Sequence, residues 1–170
     1  CALEVGEWTK PLPMNLKVIG DTESARCQWK LLELDTEDEV LVLYRSVLQS
    51  LSGNTYPDEI AQEIDALPCI DHEPFELIFA ESEHTDLYVE CEHLHHEWLA
   101  SVVDYCVVEK GVDIIFLHSH TMDTVNHPLR NYIESTAKDS TPEKQEAAEE
   151  IERRCYISYD QMIGKMAKTV

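Results

Sequence analysis

Val112-Asp113-Ile114-Ile115-Phe116-Leu117-His118-Ser119-His120-Thr121-Met122-Asp123-Thr124-Val125-Asn126-His127 is the stretch on which the fold assignment turns. Its first six residues are a short apolar run directly after Gly111. Such a run, following a helical pattern and a glycine, predicts a buried strand of an α/β sheet. The polar residues from His118 to Asp123 then leave the carboxyl end of that strand, where open α/β sheets place their chemistry.

Working outward, the residues from about Thr85 to Val108 have a helical period, with Leu87, Leu94, Trp98, Val102, Tyr105 and Val108 on the apolar stripe. Gly111 is the expected stop. Downstream, a short helix is expected around Pro128–Ile133. A long helix is expected from Pro142 to about Lys168, with acidic residues near its start and Lys165 and Lys168 near its end, as the helix dipole favours. The order helix, strand, loop, helix over residues 85–170 is one unit of an α/β core.

Residues 1–84 do not follow that rhythm. Pro11 and Pro13 break any helix near the start, and Leu16-Lys17-Val18-Ile19 has the composition of a short strand. Residues 28–34 (QWKLLEL) and 39–46 (EVLVLYRS) are two runs rich in strand formers, joined by Asp35-Thr36-Glu37-Asp38, a polar turn. Together they predict an antiparallel hairpin. Pro57 opens a short helix bearing Ile60, Ile64 and Leu67, and Pro68 ends it. Residues 69–81 read as irregular or partly extended. Residues 1–84 therefore read as a cap or insertion on the α/β core.

The composition excludes several classes of function. The chain has 170 residues and is 44% hydrophobic, enough for a domain with a real core. Lys and Arg number 13 against 34 Asp and Glu, for a net charge of -21. Such a charge repels nucleic acid and anionic membrane surfaces, so neither is expected as a partner. No signal peptide and no run of about 18 apolar residues is visible, so no membrane span is expected. The sequence opens on Cys1 rather than Met, as expected of a processed or excised chain. Its six cysteines form no C-x-x-C pair and no disulfide framework, which predicts free thiols and a cytoplasmic location.

Two groups of residues have the chemistry of a site. In an extended segment His118 and His120 project to one face. Asp123 and His127 are four apart and share one side of any helical turn. Carboxylate and imidazole are good ligands for zinc or a similar divalent ion. The second group is Cys91, Glu92, His93, His95, His96 and Glu97. It reads as a solvated helix surface, with a metal-binding domain as the competing reading. Glycine-rich nucleotide loops, the P-loop and the G-x-S-x-G elbow are all missing.

VDIIFLHSHTMDTVNHPLRNYI, followed by CYISYDQMIGKM, resembles the type I phosphodiesterase/nucleotide pyrophosphatase branch of the alkaline-phosphatase superfamily. There a buried strand runs into D-x-x-x-H, and a later long helix ends in D-x-hydrophobic-hydrophobic-G, here Asp160-Gln161-Met162-Ile163-Gly164. CQWKLLELDTEDEVLVLYRS and YPDEIAQEI resemble the hairpin insertion and the following helix of microbial members. The resemblance covers most of residues 27–166. It implies a three-layer α/β/α sandwich with a hairpin-containing cap, a metal-dependent phosphoesterase and a phosphate-ester substrate. It also implies two metal ions, usually zinc, with Asp123 and His127 as two ligands of one of them. His118 and His120 are not ligands in the family's usual pattern and would either line the pocket or be structural. Arg130 stands where the family often has an aromatic or apolar residue.

The family's Thr or Ser nucleophile lies before the cap, and its Asp-His-Gly motif lies after the long helix. Neither is matched here; the one Asp-His pair, Asp71-His72, is followed by Glu73. The expectation is thus a middle segment that is inactive by itself and holds no catalytic nucleophile. The alternative is a non-catalytic acidic binding or cap module on the same scaffold.

Overall fold

Two β-rich runs and a polar turn do make a hairpin. Strands β3 (Trp29–Asp35) and β4 (Val40–Arg45) pair antiparallel, with a bulge between Leu31 and Glu33. Asp35 closes the turn, its Oδ1 accepting from the amides of Glu37 (2.8 Å) and Asp38 (3.0 Å). These bonds, Asp38's first, hold its carboxyl below the usual range. The computed structural model describes residues 3–18, 21–50, 55–57, 59–65, 85–134 and 140–170. The fold is mixed α/β, with two small antiparallel sheets and four α-helices among these residues. The chain divides into two compact units, Cys1–Asp71 and His72–Val170.

In the first unit, β1 (Leu12–Val18) pairs with β2 (Asp21–Cys27), and β2 with the short β5 (Gln49–Ser50). Strand β2, DTESARC, has no apolar alternation, so local pattern gave no sign of it. Pro13 is tolerated because β1 is an edge strand. Ser46 ties the sheet ends together: its Oγ accepts from the Gln28 amide (2.8 Å), and its own amide donates to the Gln28 carbonyl (2.9 Å). Helix α1 (Glu59–Asp65) lies within the expected Pro57 helix. The expectations for Ile19, Leu67, Pro68, residues 69–81 and the 84/85 boundary fall outside the described residues.

The described part of the second unit is helical. Helix α2 (Thr85–Asp104) runs into a π-helical turn over Tyr105–Glu109 and stops at Gly111, whose φ of 65° suits glycine. Helix α3 spans Thr121–Ile133 and α4 spans Pro142–Thr169. The core joins all three: Tyr88 and Val89 of α2, Val125 and Leu129 of α3, and Ala148, Ile151 and Cys155 of α4. A second cluster packs Leu99 and Ala100 against Met162. Asp86 pairs with Arg154, Glu97 with Lys165, and Asp104 with Thr169, so α2 and α4 run parallel. Arg130 reaches Glu152 (3.4 Å), and α3 runs against α4.

Three expectations are corrected here. Residues 112–117 do not form a buried strand. They pair with nothing in either sheet, and Ile114 and Phe116 are 87% and 97% exposed. A buried strand needs ladder partners on its edges and cover on both faces. The described part of this unit offers only helices. Second, α3 starts seven residues before Pro128, so Asp123 and His127 lie on a helix rather than in a strand-end loop. Third, the inward stripe of α2 is Tyr88, Glu92, His96, Leu99 and Val103, while Leu94, Trp98 and Val102 are only half-buried and Val108 is exposed. No described helix is long and apolar enough to cross a membrane. Cys27, Cys91, Cys106 and Cys155 are free thiols.

Helix α4 has a side-chain cap. Thr141, in extended conformation, accepts from the Lys144 amide at 3.3 Å. Thr141→Ala should lower stability by about 1 kcal/mol, and Thr141→Ser by much less. Thermal unfolding followed by far-UV circular dichroism measures both.

Candidate functional site

The i, i+4 spacing of Asp123 and His127 brings the pair together on α3. His127 Nε2 lies 3.3 Å from Asp123 Oδ1, and the two side chains are 79% and 70% exposed. Asp123 sits in the first turn, where the positive helix end favours a carboxylate. A carboxylate and an imidazole so placed fit two ligands of one divalent ion, with water free to complete the shell. No group of three or more His, Cys, Asp or Glu converges in this way among the described residues. Among the described residues the pair therefore supplies two ligands and no third.

His118 and His120 lie on the exposed segment before α3, their ring centroids 4.2 Å apart. Arg130 projects from α3 to the Glu152 carboxylate.

The group at residues 91–97 is only in part a surface: Cys91, Glu92 and His96 are buried, His95 and Glu97 are half-buried and His93 is exposed. His96 is fully buried and Glu92 nearly so. His96 Nδ1 is 2.8 Å from Ser158 Oγ on α4, and its Nε2 is 3.1 Å from Thr121 Oγ1 on α3. Glu92 Oε2 lies 4.0 Å from the same Nε2. His93, exposed at the surface, brings its Nδ1 to 3.2 Å from Ser158 Oγ. One imidazole thus ties three helices together. A neutral ring donates through one nitrogen and accepts at the other, and the two hydroxyls can complement either tautomer. Burial holds the His96 pKa down to about 4, helped by His95 and His93 and opposed by Glu97. Sequence reasoning missed this cluster. The available signal was the i, i+4 line Tyr88–Glu92–His96–Ala100, which puts two polar residues in register with apolar ones.

Beside His93 an open groove of about 500 Å³ runs between α2 and α4, lined also by Glu97, Asp160, Gly164, Lys165 and Lys168. A side chain at Gly164 would meet nothing within 4 Å, so packing within this unit does not require glycine there.

Comparison with protein-family models, with curated proteins and with solved structures gives no match.

Proposed function

We propose that this chain contributes the Asp123–His127 ligand pair to the metal centre of a phosphoester hydrolase of the phosphodiesterase/nucleotide pyrophosphatase kind, with zinc as the metal and a phosphate ester as substrate. The observation that carries the reading is the 3.3 Å approach of an exposed carboxylate and an exposed imidazole at the start of α3. The helix arrangement also supports it. Adjacent parallel helices such as α2 and α4 are what successive strand–helix units leave on one face of a parallel sheet. On this reading residues 1–84 are a cap on a three-layer sandwich.

A bound divalent ion would polarise a phosphoryl oxygen and lower the pKa of a nucleophile. Asp123 and His127 would hold and orient it. Two ligands cannot build the two-ion site that clamps both attacking and leaving oxygens, so the chain alone should be inactive. A net charge of -21 further repels an anionic ester unless metal offsets it locally.

Zinc should shift the His127 ring resonances of the purified chain, and Asp123→Ala should abolish that shift. Hydrolysis of bis-p-nitrophenyl phosphate and p-nitrophenyl phosphate, in zinc or manganese, should stay at the buffer rate. A His127 ring indifferent to zinc removes the ligand assignment. Turnover that vanishes in Asp123→Ala shows instead that the chain holds a complete centre.

A further inference from the structure

We propose that His118 and His120 form a second metal-binding pair, separate from Asp123–His127, that takes a late first-row divalent cation such as zinc or nickel. Residues 112–120 belong to no helix or sheet, and His118 and His120 are both exposed while Ser119 between them is half-buried. Ser119 is anchored. Its Oγ donates to Thr121 Oγ1 at 3.2 Å and accepts from the Thr121 amide at 3.4 Å. Thr121 Oγ1 is in turn 3.1 Å from the buried His96 ring. The middle residue is therefore held by the three-helix tie through Thr121, and the exposed rings on either side of it lie next to each other.

The two rings stand with centroids 4.2 Å apart and planes tilted by 44°. At that separation one nitrogen of each ring can approach a shared ion at about 2.0–2.1 Å after small rotations. Both donors are imidazole nitrogens, a ligand type that suits zinc, nickel and copper better than magnesium, calcium or manganese. The mixed oxygen and nitrogen pair on α3 is less selective. Exposure leaves room for waters to fill the remaining positions, so no third side chain is needed for binding. The Ser119 anchor reduces the freedom that the two rings must lose when the ion binds.

The test uses the full chain at pH 7.5, with histidine ring signals followed by NMR as zinc is added. The rings of His118 and His120 should respond together and saturate at one ion per pair. His118→Asn and His120→Asn should each weaken that response at least about tenfold, because the second ligand then no longer binds intramolecularly. Ser119→Ala should weaken it by a smaller factor, and Asp123→Asn should leave it unchanged. Unchanged unfolding midpoints would establish that the variants are folded. The proposal is overturned if either ring keeps its affinity when the other is replaced. It is also overturned if Asp123→Asn abolishes the response, since the two pairs would then be one site. The fate of the Asp123–His127 pair is read separately, at the His127 ring.

Discussion

Stability of the second unit should fall by on the order of 3 kcal/mol as the pH drops from about 6.5 to about 4, through His96 alone. In the folded chain the ring stays neutral down to about 4, because burial disfavours its charged form and His95 and His93 add to the effect. In the unfolded chain it takes up a proton near pH 6.5. Between those values the unfolded state binds one more proton than the native state, so acid favours unfolding. Above about 6.5 neither state is protonated and the penalty is absent. Below about 4 both are protonated and the loss is complete. The titratable groups around the ring are Glu92, His93, His95 and Glu97 on α2 and Tyr159 on α4, and Ser158 of α4 and Thr121 of α3 hydrogen-bond to it.

Many carboxylates also titrate in this range, so the comparison that matters is with His96→Gln, which keeps a polar group but cannot ionise. Wild type minus variant, measured by urea unfolding from pH 7.5 to 4, should show the drop. The His96 ring signal should titrate with a midpoint near 4. A midpoint near 6.5 would mean that the ring is open to solvent.

Leu129→Ala should cost about 3 kcal/mol, within the range for deleting a buried leucine side chain. Leu129 is fully buried in the cluster that joins α2, α3 and α4. Truncating it removes apolar area from the core and leaves a cavity where three helices meet, so neighbours from all three would have to move to fill it. For a unit of this size the thermal midpoint should fall by roughly 15 °C. Leu41→Ala, on the exposed face of β4, is the control and should change stability by less than about 0.5 kcal/mol. Equal effects at the two positions would contradict the described core.

Features with local causes were legible in the amino-acid order alone. The hairpin 29–45 follows from two runs of strand formers and an aspartate able to accept two turn amides. Helix α2 follows from an apolar period stopped at Gly111, and α4 from Pro142 with acidic residues near its start and lysines near its end. The approach of Asp123 to His127 follows from a spacing of four on one helix.

Tertiary structure decided what depends on partners. VDIIFL has the composition of a buried strand, yet composition supplies neither ladder neighbours nor a second layer, and the run lies exposed. Glu92 and His96 look like surface residues in sequence. Both are buried, and for His96 the reason is that α4 presents Ser158 and α3 presents Thr121 to its ring, since a polar side chain can be buried where it finds such partners. The rings of His118 and His120 lie next to each other on either side of Ser119, which is held by Thr121. For VDIIFL and for His96, hydrogen bonding between residues distant in sequence, or its absence, outweighed the local preference.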